Sequence, residues 1–146
     1  MTRVQSSLSA AACCLGAVLV GSLIHLSPAG AGEPVVVPVG ADGVQHATIT
    51  LDSYTYTPDY LVVQVGKPVE LTLTSVTVIT PHNFLLTDPA AGFTIREDVR
   101  AGKTLKVRFT PTQPGTFLYY CDKKLLFMAS HQEKGMEGRL EVRQPF

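Results

Sequence analysis

Four side chains in this sequence have the types and spacing for metal chemistry. Cys121 closes a strand-like run that begins at Gly115, and His131 and Met136 follow it before a second run opens near Glu137. Upstream, the segment Pro81-His82-Asn83-Phe84 places another imidazole where a loop enters a strand. A thiolate, two imidazoles and a weaker thioether suit a single copper ion alternating between Cu(I) and Cu(II). The soft sulfurs favour Cu(I), and the imidazoles keep Cu(II) bound. His82, Cys121, His131 and Met136 are therefore the expected ligands. Taken singly each has a blander reading, because cysteine and methionine pack readily in cores and a lone histidine is usually structural. Their conjunction, with three donors delivered by one turn, carries the expectation of copper over a metal-free domain or a zinc site.

The compartment expected from the N-terminus supports a metal on the thiol. Arg3 precedes an apolar run without charge, and Ala29-Gly30-Ala31 supplies a small-residue cleavage pattern. Residues 1–31 read as a signal peptide of the general export route, with retention as an anchor as the alternative, and a periplasmic destination is expected. Cys13 and Cys14 lie early in the apolar run, not at its end where a lipoprotein cysteine would sit. Beyond residue 31 one cysteine remains, Cys121, with three histidines, His46, His82 and His131. A lone thiol in an oxidising compartment is buried, paired with another chain or occupied by a metal. Losing Arg3 leaves 11 basic residues against 12 acidic. That balance gives no support for nucleic acid or an anionic membrane surface as partner.

The elements that must position these donors read as strands. Residues 32–43, with two prolines and three glycines, form a leading arm with an edge strand at most. Residues 44–146 form a single domain. Val44 to Leu51 alternates with Ala47, Ile49 and Leu51 on one face, and His46 falls on the polar face as an exposed strand histidine. Val69, Leu71 and Leu73 face inward on one strand; Leu105, Val107 and Phe109 do so on another. Phe117, Tyr119 and Cys121 share a face, and Leu140 and Val142 point inward on the last strand. Seven or eight short strands with turn signals between them predict an all-β, antiparallel Greek-key sandwich. The segment 94–103 is expected to be loop with a short strand.

One segment breaks the strand pattern. In residues 122–134, Asp122 is a candidate N-cap and Gly135 a natural stop, so a short helix or helical turn is expected inside the ligand loop. The apolar run Leu125 to Ala129 is expected to pack against its own barrel, with an exposed docking patch beside His131 as the alternative.

With the motifs P-H-N at 81–83, G-T-F-x-Y-Y-C at 115–121 and H-x4-M-x-G at 131–138, the chain resembles the cupredoxins, small blue copper proteins of the plastocyanin and azurin type. The resemblance spans Val44 to Val142. It implies an eight-stranded sandwich with the metal at one end, His82, Cys121 and His131 as equatorial ligands, and Met136 as the axial one. Asn83 would donate hydrogen bonds near the thiolate. Met128, Glu133 and Glu137 are alternatives for the axial place, which the H-x4-M spacing assigns to Met136. Nine residues separate Cys121 from His131, more than in the small electron carriers and similar to the copper nitrite reductases, so a perturbed type 1 geometry is an option. The implied function is one-electron transfer between larger redox proteins of cytochrome or oxidase type, with His131 as the electron port. A copper chaperone or store, or an accessory subunit of a copper enzyme, is the alternative. No hydrolytic or nucleophilic set is visible, so a non-catalytic protein is expected.

Overall fold

The computed structural model describes residues 32–145; the expected signal peptide lies outside the described residues. Ten strands follow in order: β1 Val35–Val36, β2 Gln45–Asp52, β3 Thr55–Thr57, β4 Tyr60–Gln64, β5 Val69–Ser75, β6 His82–Asp88, β7 Phe93–Val99, β8 Thr104–Phe109, β9 Gly115–Tyr120 and β10 Glu137–Arg143. They build two sheets, one in the order β1-β4-β10-β9-β6-β7 and the other β3-β2-β5-β8. The all-β Greek-key sandwich is thus the fold of the chain. Its pairing is mixed and not purely antiparallel, because β1 runs parallel to β4, β4 to β10 and β2 to β5. Connections that cross from one sheet to the other bring such strands side by side in the same direction.

The alternation read from the sequence is the core. Ile49, Leu51, Val69, Leu71, Leu73, Leu140 and Val142 are all buried, and full burial of each such side chain is worth about 1.5–3 kcal/mol. Residues 93–99 are a full strand, longer than the short strand expected within 94–103. β7 pairs with β6 from His82 opposite Val99 to Asp88 opposite Phe93. The run Thr94-Ile95-Arg96-Glu97-Asp98 reads as loop because it carries three consecutive charged residues. It is nonetheless an edge strand, where charge on the solvent face is the ordinary protection against further pairing. The preceding Pro89–Ala91 forms one 3-10 turn, capped by the Asp88 carboxylate accepting from the Ala91 amide at 3.2 Å.

Two features of the core bear on the metal-ligand end. Tyr56, Phe84 and Tyr119 pack as one aromatic cluster, with Tyr119 5.0 Å from Phe84 and 5.2 Å from Tyr56 between ring centroids. The Tyr56 hydroxyl donates to the carbonyl of Asn83 at 2.6 Å, and the Tyr119 hydroxyl to that of Pro58 at 3.0 Å. These polar tips are satisfied, and the Tyr56 bond ties the start of β6 to the opposite sheet. At Gly138, a Cβ would lie 2.5 Å from the Tyr119 ring and 2.6 Å from the Asp59 carbonyl. Only glycine lets β10 approach β9 and β4 this closely beside the ligand loop.

Candidate metal centre

The structure brings His82, Cys121 and His131 together. Each offers a donor atom, these atoms all lie within 4.8 Å of one another, and all three side chains are buried. His82 opens β6, Cys121 directly follows β9, and His131 lies in the loop between β9 and β10. The Cys121 Sγ and His131 Nδ1 are 3.4 Å apart, and the two imidazole centroids 5.1 Å. Met136 is fully buried. Its carbonyl accepts from the Cys121 amide at 3.1 Å and its amide donates to the His131 carbonyl at 2.9 Å. These bonds close the loop into a frame that ties Cys121, His131 and Met136 together.

The local fold of that loop differs from the sequence reading in two ways. Asp122 does not cap a helix. Its carboxylate accepts from the Asn83 side chain at 2.7 Å, and its amide donates to the Asn83 carbonyl oxygen Oδ1 at 3.1 Å. The helical turn instead starts at Ser130. The Ser130 hydroxyl accepts from the Glu133 amide at 3.2 Å, Glu133 accepts from the Ser130 amide at 2.6 Å, and Lys134 donates to the Ser130 carbonyl at 3.1 Å. This reciprocal pair is a capping box, and its Ser-x-x-Glu signature at 130–133 was legible in the sequence. The turn carries His131 and ends at Gly135, whose φ of 95° suits glycine. Glu133 is therefore engaged as a cap and not as a metal ligand.

The apolar run after Asp122 does not pack on the barrel. Leu125, Leu126 and Met128 are exposed and Phe127 is 103% exposed. The His131 amide donates to the Lys123 carbonyl at 2.8 Å and Met128 to that of Leu125 at 2.9 Å. The loop is thus pinned at its base, and the residues between project outward.

Around the donors, the environment favours ligation. Burial, with the nearby His131, lowers the pKa of His82 to about 4, and burial also lowers that of His131, assisted by Lys134 and Lys123. Both rings are then neutral at pH 7, the form that binds a metal. Burial raises the Cys121 thiol, opposed by hydrogen bonds from the backbone amides of Asn83 and Lys123. The Asn83 amide reaches Sγ at 3.4 Å. Among the described residues neither His82 ring nitrogen has a hydrogen-bond partner, although the side chain is fully buried. Leaving such a group unsatisfied costs about 1–3 kcal/mol, and a coordinated ion removes that cost. Two imidazoles and a thiol also match zinc, but Met136, buried and tied through its backbone to Cys121 and His131, adds a thioether to the set, which suits copper better. The donor set fits one copper ion.

Tyr54, whose alternation with Tyr56 reads in the sequence as an aromatic cover of the core, instead completes the surroundings of the donors. Its ring meets His131 edge-on at 4.7 Å, and the Lys134 ammonium sits 4.1 Å from its centroid. No spacing rule links residue 54 to residue 131; only the sandwich brings them together. His46 is remote, exposed and bonded to Asp42 at 2.8 Å.

The profile of the Cupredoxin-like domain family matches residues 16–140. This chain belongs to that family. No curated protein matches it by sequence. Among solved structures, it is similar to the metal-binding domain of the Cu(I)-exporting P-type ATPase CopA of Streptococcus pneumoniae D39. That match has 22% identity and a TM-score of 0.57, covering 77% of this chain and 97% of that one. Auracyanin A, a "blue" copper protein of Chloroflexus aurantiacus, matches at 20% identity and a TM-score of 0.54, over 69% and 100% of the two chains. Copper nitrite reductase from Nitrosomonas europaea matches at 22% and 0.54, over 69% of this chain and 42% of that one.

Proposed function

We propose that this protein is an exported electron carrier in which His82, Cys121, His131 and Met136 would hold one copper ion. The observation that carries this is the fully buried His82, with both ring nitrogens unpartnered among the described residues and a donor atom within 4.8 Å of those of Cys121 and His131. Bound copper supplies a one-electron couple between Cu(I) and Cu(II). The chain supplies the rest. The two rings stay neutral because burial disfavours their charged forms, and Cys121 releases its proton on ligation. The Asn83 amide donates toward Sγ and disperses charge on the thiolate. The closed loop from Cys121 to Met136 restrains the donors, so that a change of charge demands little rearrangement. His131 is the donor next to the exposed loop residues and the groove they form, which makes it the port for exchange with a redox protein. A periplasmic location follows from residues 1–31 read as an export signal.

The test is addition of Cu(II) to the purified protein. An intense visible thiolate-to-copper band and a narrow copper hyperfine splitting in EPR are expected, and both should vanish in Cys121→Ser. A colourless protein, or colour that survives in that variant, overturns the reading.

A further inference from the structure

We infer that Met128 is a transient Cu(I) acceptor through which the metal is handed to and from the buried centre. This rests on the copper reading above. His82, Cys121 and Met136 are fully buried, whereas His131 keeps 7% of its surface exposed. Within the donor set, then, His131 is the residue that solvent reaches. It lines a groove of about 350 Å³ between the β5–β6 loop, through Ile79 and Pro81, and the ligand loop, through Leu125 and Met128.

The chemistry of that groove discriminates between oxidation states. Lys123, Lys124 and Lys134 line it, and no carboxylate does. Lys123 is neutralised by Asp98 at 2.7 Å, so the balance left over is positive. The positive lining slows the approach of any free copper cation, and hydrated Cu(II), a hard ion, finds no hard anionic donor in it to help it through. Cu(I) needs soft donors. Apart from the ligand His131, the groove offers one, the Met128 thioether, which is 54% exposed and so able to meet a complex in solution. The transfer is a ligand exchange without a change of oxidation state. Met128 sulfur takes a coordination place from the departing ligand, His131 nitrogen takes the next, and Cys121 loses its thiol proton to solvent as Sγ binds. Met128 then lets go.

A kinetic acceptor has a signature that a resident ligand lacks: it changes entry and exit by one factor and leaves the affinity alone. The full protein is mixed anaerobically with a Cu(I)–bicinchoninate complex, and the loss of its colour is followed. Excess bicinchoninate is then used to extract Cu(I) from the loaded protein. In Met128→Leu, which retains the apolar bulk, both rates should fall about tenfold, a barrier raised by about 1.4 kcal/mol, with their ratio and the oxidised spectrum unchanged. Unchanged rates overturn the inference. A lowered affinity overturns it too, since Met128 would then be a resident ligand. Failure of the unsubstituted protein to take up copper at all overturns the copper reading instead.

Discussion

Asn83 and Asp122 are bonded to each other twice, through Nδ2 to Oδ1 at 2.7 Å and through the Asp122 amide to the Asn83 Oδ1 at 3.1 Å. Each is the residue directly after a donor, His82 in one case and Cys121 in the other. The pair is therefore a clamp between β6 and the end of β9, where the ladder itself is thin: these strands share the single register pair Leu85 opposite Tyr120. Asn83→Ala removes both bonds while leaving the backbone amide that faces Sγ. We expect it to lower the stability of the copper-free protein by about 1–2 kcal/mol, read by urea denaturation. The copper protein should show a broadened EPR spectrum from a less uniform centre. An unaltered stability and spectrum would show that the ladder alone holds the two strands.

The Tyr54 ring meets the His131 ring edge-on at 4.7 Å in the groove that both line, and Lys134 in turn sits on Tyr54. The apolar shell around a metal controls the access of water and through it the reduction potential. Water stabilises the more highly charged oxidised centre, so Tyr54→Ala should lower the potential while Tyr54→Phe, which keeps the ring, should leave it nearly unchanged. Cyclic voltammetry of the three proteins decides. Equal potentials would mean that Tyr54 shields nothing.

The strand pattern and three of the four donors were legible in the sequence for one reason: both are local. Ile49, Leu51, Leu71 and Leu73 alternate within their own strands, and Cys121, His131 and Met136 share a single loop. What escaped depends on tertiary placement or on competing local signals. Tyr54 reaches His131 only because the sheets face each other. β7 was obscured by the charges Arg96, Glu97 and Asp98, which an edge strand tolerates. Asp122 and Ser130 are both plausible caps, and the choice fell to Ser130 because Asn83, from a distant strand, claims the Asp122 carboxylate. The exposure of Leu125 to Met128 follows from the pinning of the loop at Lys123 and His131, which composition does not encode.

The pKa of His82 gives the copper-free protein a pH dependence of fixed sign. The value is near 6.5 in the unfolded chain and is brought down to about 4 in the fold by burial and by His131, against a smaller opposing effect of Asp52. Between these values the unfolded chain binds more protons, so stability is present above pH 6.5 and is lost as the pH falls toward 4. A shift of this size corresponds to on the order of 3 kcal/mol. Urea denaturation of the copper-free protein at pH 7 and pH 4.5 should show most of that loss, and His82→Gln should flatten it. With copper bound, the ring nitrogen is occupied and the decline should begin at a lower pH. Identical pH profiles for the copper-free protein and the Gln variant would place the acid sensitivity elsewhere.

Met136 is the donor whose role rests on burial and on its backbone ties to Cys121 and His131. A thioether is a soft, weak donor, whereas an amide oxygen is a harder donor that favours Cu(II). Met136→Gln should therefore lower the reduction potential and shift the visible bands, because the new oxygen stabilises the oxidised form. Met136→Leu has a similar volume and no donor atom, so it should bind copper and keep its colour, since the thiolate of Cys121 remains. The comparison separates coordination from packing. If Gln and Leu give the same potential, the side chain at 136 is core filling and the axial place is empty or held by another donor.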